Sequence, residues 1–255
     1  MITVSALPAF DDNYVWLLHA PEAGAIVVDP GDAQLVIEEV ERGLELAAIL
    51  VTHHHADHVG GVVELQRRLG LPCFAPADAR IPGQLRCVED GELFTVDGWP
   101  DSIRVIATPG HTRSHVSYHI DGHLFCGDTL FSLGCGRMFE GDAQQMHRSL
   151  QRLAALPANT LVCCAHEYSA ANARFAQAVD PNNTSLRTRA RAIAAAREQG
   201  RSSLPVALSC ELECNPFLRV DQPEVRAAAE ARCGHSLEAP DQVFGALRRW
   251  KDEFR

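Results

Sequence analysis

Along the first two-thirds of the chain, short apolar runs alternate with helical patterns. Runs rich in β-branched and aromatic residues occur at Ile2–Leu7, Tyr14–Leu18, Ala25–Asp29, Ala47–Thr52, Ile103–Thr108, Val116–Ile120, His123–Gly127 and Thr160–Cys164, which predicts strands. Apolar residues at helical spacing predict helices over Ala33–Arg42, Val59–Leu69 and Ala143–Leu156. Strands and helices interleaved in this way predict an α/β domain whose sheets are covered by helices. From about Ser169 the pattern changes. Ala170–Val179, Ser185–Gln199, Gln222–Ala231 and Asp241–Phe254 read as helices, the second stopped by Gly200. No strand is expected after Cys164. The shift in pattern puts a boundary near Glu167–Ser169, dividing the chain into a mixed domain over residues 1–168 and a helical domain over 169–255.

The 255 residues suffice for two cores, and 46% of them are apolar. No apolar run approaches the roughly 20 residues of a membrane helix. The first residues carry neither a basic n-region nor an apolar h-region, so the chain is expected to begin at Met1 and to act in the cytoplasm. Its nine cysteines are odd in number and scattered, without a CxxC pair, which argues against a disulfide framework. The formal net charge of −10 argues against a nucleic-acid surface, which needs a basic stripe. An anionic substrate would have to be met by locally placed cations.

Candidate chemistry is concentrated in Thr52-His53-His54-His55-Ala56-Asp57-His58, between the run Ala47–Val51 and the helical pattern beginning near Val59. Imidazole and carboxylate are ligands for zinc, iron and manganese. Residues two apart share a side in an extended segment but diverge by about 200° on a helix. His53 and His55 therefore face one point, with His54 turned away, and Asp57 and His58 reach a second point from the turn into the helix. His111, Asp128 and His166 each follow another predicted strand. Ligands gather at the carboxyl ends of strands in α/β folds. A lone histidine after a strand is ordinarily a cap or surface group. Taken with the HHHADH block, however, the set gives seven donors: His53, His55, Asp57, His58, His111, Asp128 and His166. That is too many for one tetrahedral zinc and suits two metals sharing a carboxylate. Asp29, at another strand end, either orients a ligand histidine or caps a turn. His115 stands open between a supporting and a purely structural role.

These motifs resemble a known superfamily. THHHADH, PGHT at Pro109–Thr112, GDT at Gly127–Thr129 and AHEY at Ala165–Tyr168 look like the metallo-β-lactamase superfamily. Gly134–Gly141 (GCGRMFEG), Asn215–Arg219 (NPFLR) and the Arg248–Phe254 tail (RRWKDEF) narrow the resemblance to glyoxalase II, the hydroxyacylglutathione hydrolases. It runs from Asp12 to Phe254.

The resemblance implies a four-layer αββα sandwich followed by a helical domain that helps hold glutathione. By similarity His53, His55 and His111 would bind one metal, Asp57, His58 and His166 a second, and Asp128 would bridge. The metals would be zinc, with iron and manganese compatible with the same donors. Arg137, Phe139, Tyr168, Arg248 and Lys251 would surround the glutathione moiety. The implied activity is hydrolysis of S-D-lactoylglutathione and related thioesters to glutathione and a 2-hydroxy acid, the second step of methylglyoxal detoxification. A hydroxide held between the metals would attack the carbonyl, with Asp57 orienting it, and the implied actor is a monomer. Ala56, Ala165 and Phe139 stand where Trp, Gly and Tyr are usual in the family; Phe139 removes a possible hydroxyl contact to glutathione. Three rivals share part of the pattern: another hydrolase of the superfamily, a persulfide dioxygenase with one iron, and a metal scaffold without activity.

Overall fold

The structure is a computed structural model describing residues 2–254; the expected start at Met1 lies outside them. The described residues divide into two compact units, residues 2–107 with 114–127, and residues 108–113 with 128–254.

The first unit contains β1 (Thr3–Ala9), β2 (Asn13–Ala20), β3 (Ala23–Val28), α1 (Ala33–Glu41), β4 (Leu46–Leu50), α2 (Ala56–Val59), α3 (Val62–Leu69), β5 (Cys73–Pro76), β6 (Leu85–Val88), β7 (Leu93–Phe94), β8 (Ile103–Ala107), β9 (Val116–Ile120) and β10 (His123–Phe125). One sheet has the order β1-β2-β3-β4-β5-β6. Its first three strands are antiparallel, and β3 to β6 are parallel. Strands β7 to β10 form antiparallel neighbours in a second sheet.

Side-chain alternation assigns the faces of the first sheet. Val15, Leu17, Val27, Ile49 and Ala75 pack in one buried cluster with Val36 and Ile37 of α1 and Val62 and Leu65 of α3. The residues between them face the second sheet: Trp16 meets Phe125 at 6.4 Å between rings, and Phe74 stacks on Phe94 at 4.5 Å. Strands covered on both faces read as continuous apolar runs, which is why β3 and β4 stand out in the sequence. The hydroxyl of Tyr118 on β9 donates to the Val51 carbonyl at 2.8 Å, so the buried ring brings its polar atom to a partner. The expected helix over Val59–Leu69 is interrupted at Gly60 and Gly61 and forms two pieces, α2 and α3.

The second unit contains β11 (Leu130–Phe131), β12 (Gly134–Cys135), α4 (Ala143–Ala154), β13 (Leu161–Cys163), α5 (Ser169–Val179), α6 (Thr184–Glu198), β14 (Val206–Ala207), α7 (Leu208–Cys214), α8 (Pro223–Cys233) and α9 (Pro240–Glu253). Local chemistry sets several helix starts. Asp142 and Gln145 form a capping box on α4, Asn183 accepts from the Leu186 N–H on α6, and proline opens α8 and α9. Leu133, Ala173, Ala176, Leu186, Ile193 and Cys214 form one buried cluster. Phe175, Phe217 and Phe244 form another packing line, with ring separations of 5.9 and 5.6 Å.

The expectation of no strand after Cys164 is corrected by β14, which pairs antiparallel with β13 through Leu161↔Ala207 and Val162↔Val206. Two residues behind a proline carry no readable alternation, and only the partner strand defines them. All nine cysteines are free thiols. No helix among the described residues is long and apolar enough to cross a membrane.

Candidate active site

In the first unit, four donors come from the end of a single strand. Because β3 and β4 are parallel neighbours, the residues after Val28 and Leu50 emerge side by side. Asp29 adopts a φ of 52° and donates its N–H to the Leu50 carbonyl at 2.9 Å. Its buried carboxylate accepts from the Thr52 N–H (2.7 Å), the Thr52 hydroxyl (2.7 Å) and His58 Nδ1 (3.0 Å). A carboxylate only accepts, so His58 carries its proton on Nδ1 and presents the Nε2 lone pair. The one hydroxyl proton of Thr52 goes to Asp29, so Thr52 in turn accepts from His53 Nδ1 at 3.0 Å. His53 then also presents Nε2. Anchoring the second ring nitrogen in this way is characteristic of metal-binding histidines.

His53 Nε2 lies 3.0 Å from His55 Nδ1, and His58 Nε2 lies 3.5 Å from Asp57 Oδ2. Asn13 Nδ2 donates to that same Asp57 oxygen at 2.9 Å. His54 instead has its Nδ1 3.6 Å from Asp78 Oδ2. His115 stacks on His53 with ring centroids 4.9 Å apart. Gly127, at φ +46°, is required here: a Cβ would lie 2.4 Å from Thr52 Oγ1 and 2.7 Å from His115 Nε2.

In the second unit, two imidazoles gather on one carboxylate. His111 Nε2 is 3.3 Å from Asp128 Oδ2, and His166 Nε2 is 3.3 Å from Asp128 Oδ1. One imidazole stands at each oxygen, the arrangement a bridging carboxylate needs. His111 Nδ1 donates to the Arg137 carbonyl at 2.7 Å, so its lone pair is also on Nε2. The N–H groups of Phe139 and Glu140 donate to the His111 carbonyl at 3.2 and 3.3 Å, which holds the GCGR loop along the PGHT loop. Gly136 makes this possible, because a Cβ there would lie 1.8 Å from the Asp128 carbonyl oxygen. Tyr168 stacks on His166 at 4.8 Å and 8° between planes.

His111 and Asp128 form one wall of a cavity of about 510 Å³ that also receives Arg137, Phe139, Tyr168, Arg248 and Lys251. The five residues differ in how they reach it. Phe139 is 64% exposed, with its ring edge on His111 at 5.2 Å. Arg137 is exposed, its Nε 3.3 Å from Asp252 Oδ1. Arg248 is buried, donating to the Cys135 carbonyl (2.8 Å) and to Asp252 Oδ1 (2.9 Å). Lys251 Nζ donates to the Ala171 carbonyl at 3.4 Å. Burial, with Arg248 and Arg174 nearby, pulls the Lys251 ammonium down to about 8. Burial pushes the Cys135 thiol up to about 11, so it is no nucleophile at neutral pH.

Sequence reasoning missed Asn13 as a partner of Asp57, Thr52 as the relay to His53, and Asp252 as the carboxylate joining both arginines. Asn13 and Asp252 lie inside family-like stretches, but nothing in their spacing reveals their partners.

Two adjoining family models match the chain: "Metallo-beta-lactamase superfamily" over residues 9–166 and "Hydroxyacylglutathione hydrolase C-terminus" over residues 167–254. Among similar proteins, the hydroxyacylglutathione hydrolase of Xanthomonas axonopodis pv. citri is 55% identical over 255 residues, covering 98% of each chain. That of Halorhodospira halophila is 49% identical, covering 99% of each. Among solved structures, the BLEG-1 B3 metallo-beta-lactamase superposes with a TM-score of 0.63 at 22% identity, covering 85% of this chain and 99% of that one. TTHA1623 in a di-iron-bound form superposes with a TM-score of 0.54 at 30% identity, covering 64% and 91%. The fold is thus a metallo-β-lactamase domain followed by a helical C-terminal domain. The metallo-β-lactamase match and the clustered histidine and aspartate donors indicate a dinuclear divalent-metal site.

Proposed function

This chain belongs to the hydroxyacylglutathione hydrolase family of the metallo-β-lactamase superfamily, and we propose that it cleaves S-D-lactoylglutathione and related S-2-hydroxyacylglutathiones at a centre built from all seven donors. It is a thioesterase acting on a small-molecule substrate. His53, His55 and His111 would hold one metal and Asp57, His58 and His166 the other, with Asp128 shared between the two sets. The observation that carries this reading is the imidazole at each oxygen of Asp128. The metal is zinc, with iron as the alternative that the di-iron form of TTHA1623 favours. When bound, a pair of divalent cations supplies Lewis acidity and makes water acidic enough to attack at neutral pH.

The chain's own groups do the rest. Asp57, steadied by Asn13, accepts a hydrogen bond from the attacking water and fixes its direction. Asp29 and Thr52 keep His53 and His58 in the ligating tautomer. The thiolate of glutathione is a fair leaving group, so no strong acid is demanded, and the buried Cys135 thiol takes no part. Glutathione carries two carboxylates, for which Lys251 and Arg137 offer cations; Arg248 acts from beneath, through Asp252 and the Cys135 carbonyl. Phe139 and Tyr168 line the peptide's path. In this assignment residues 1–168 form the catalytic domain and 169–255 the glutathione-binding domain, and the enzyme works as a monomer in the cytoplasm.

The test is release of free thiol from S-D-lactoylglutathione by the purified chain. Hydrolysis at a rate proportional to metal content supports the reading. Intact thioester after metal loading overturns it.

A further inference from the structure

A buried carboxylate distant in sequence from every proposed ligand reaches the loop that follows Asp128. Glu211 on α7 is fully buried. It accepts from the Leu133 N–H at 2.7 Å, the Ser132 hydroxyl at 2.9 Å and Asn215 Nδ2 at 3.0 Å. Asn215 Nδ2 also donates to the carbonyls of Phe131 (3.2 Å) and Gly134 (3.0 Å), and Asn172 Nδ2 donates to the Ser132 carbonyl at 3.0 Å. Every one of these bonds ends on the β11–β12 hairpin or on Glu211. Within that turn, Leu133 sits at φ +58°, a left-handed conformation that L-residues avoid. The turn is therefore held open from outside.

The hairpin is short, so its placement passes directly to both flanks. Its strands pair Leu130 with Cys135, and the Gly136 N–H donates to the Thr129 carbonyl at 3.2 Å. Upstream of Thr129 is Asp128; downstream of Gly136 is Arg137, whose carbonyl accepts a hydrogen bond from His111 Nδ1. We propose that Glu211 is a positioning residue: by clamping the β11–β12 turn together with Asn215 and Asn172, it sets where Asp128 and the Arg137 carbonyl stand, and through them the affinity of the centre for its metals. This rests on the assignment of Asp128 and His111 as ligands. Partners that orient metal ligands change affinity by roughly 10–100-fold when lost.

What the clamp requires is reach. Asp at 211 keeps the charge but is one methylene shorter and cannot span Leu133 and Ser132 together. Gln keeps the length; its oxygen can accept from the Leu133 N–H and Asn215, and its amide can donate to Ser132. Burial pushes the Glu211 carboxyl up, against the three donors and Arg189.

The experiment measures zinc affinity by chelator competition on the full-length wild type, Glu211→Gln, Glu211→Asp and Glu211→Ala, alongside the Tm of each metal-stripped chain. The Gln variant is expected near wild type, with Asp and Ala weakened about tenfold or more. If Ala fails to fold, the Asp-against-Gln comparison decides. Wild-type affinity in the Asp variant, whatever its Tm, would make the role of Glu211 purely architectural and overturn the proposal, as would a loss confined to the Gln variant. A wild-type chain holding fewer than two zinc ions would instead overturn the ligand assignment beneath it.

Discussion

Asp29 Oδ2 lies 3.0 Å from His58 Nδ1, and both groups are buried. The same carboxylate reaches His53 through Thr52, so one side chain at the end of β3 fixes the tautomer of two histidines beyond β4. Asp29→Asn replaces an acceptor with a donor against two proton-bearing partners. Metal affinity should fall roughly 10–100-fold, read by chelator competition. Unchanged affinity would leave Asp29 as a turn cap only.

Lys251 should govern KM in a pH-dependent way. Its ammonium, held down to about 8 by burial, Arg248 and Arg174, loses its proton as pH rises through that value, and with it the attraction for a glutathione carboxylate. KM should therefore climb above pH 8 in the wild type while kcat holds. A charged contact is worth about 1.5–3 kcal/mol, less at a half-exposed site. Lys251→Ala should raise KM roughly five- to tenfold and flatten the pH dependence. A mutant KM equal to the wild type, at low and high salt alike, would contradict the contact.

Phe139→Tyr restores a hydroxyl to a ring already placed at the cavity wall against His111. A hydrogen bond to glutathione contributes about 0.5–1.5 kcal/mol, a factor of roughly 2 to 12. KM for S-D-lactoylglutathione should fall a few-fold with kcat unchanged, since a contact remote from the reacting carbon is equally strong in ground and transition states. An unchanged or higher KM in steady-state kinetics would reduce the ring to a packing element.

The sequence carried the parts of this molecule that are local. The runs behind β3 and β4 are buried on both faces and so read as apolar without interruption. The HHHADH block declares its chemistry because two-residue spacing at a strand end has few other uses. By contrast, β5 to β7 are short and set among prolines and charges, with Leu93 and Phe94 the whole of β7. The helix α7 covers only Leu208–Cys214, too short for a periodic signal. Glu211 and Asp252 each look like surface charges in sequence. Their roles come from partners 78 residues away at Leu133 and across the cavity at Arg137, which no local pattern encodes.

One chain is expected to hold two divalent metals and to use them for thioester hydrolysis. Elemental analysis of the purified wild type and of Asp128→Ala, paired with thiol release from S-D-lactoylglutathione on the same samples, tests it most directly. Two metals per wild-type chain with rapid hydrolysis, and weakened binding of both metals in the variant, is the predicted result. One tightly bound iron per chain, with oxygen uptake on a persulfide and no thioester cleavage, would contradict it.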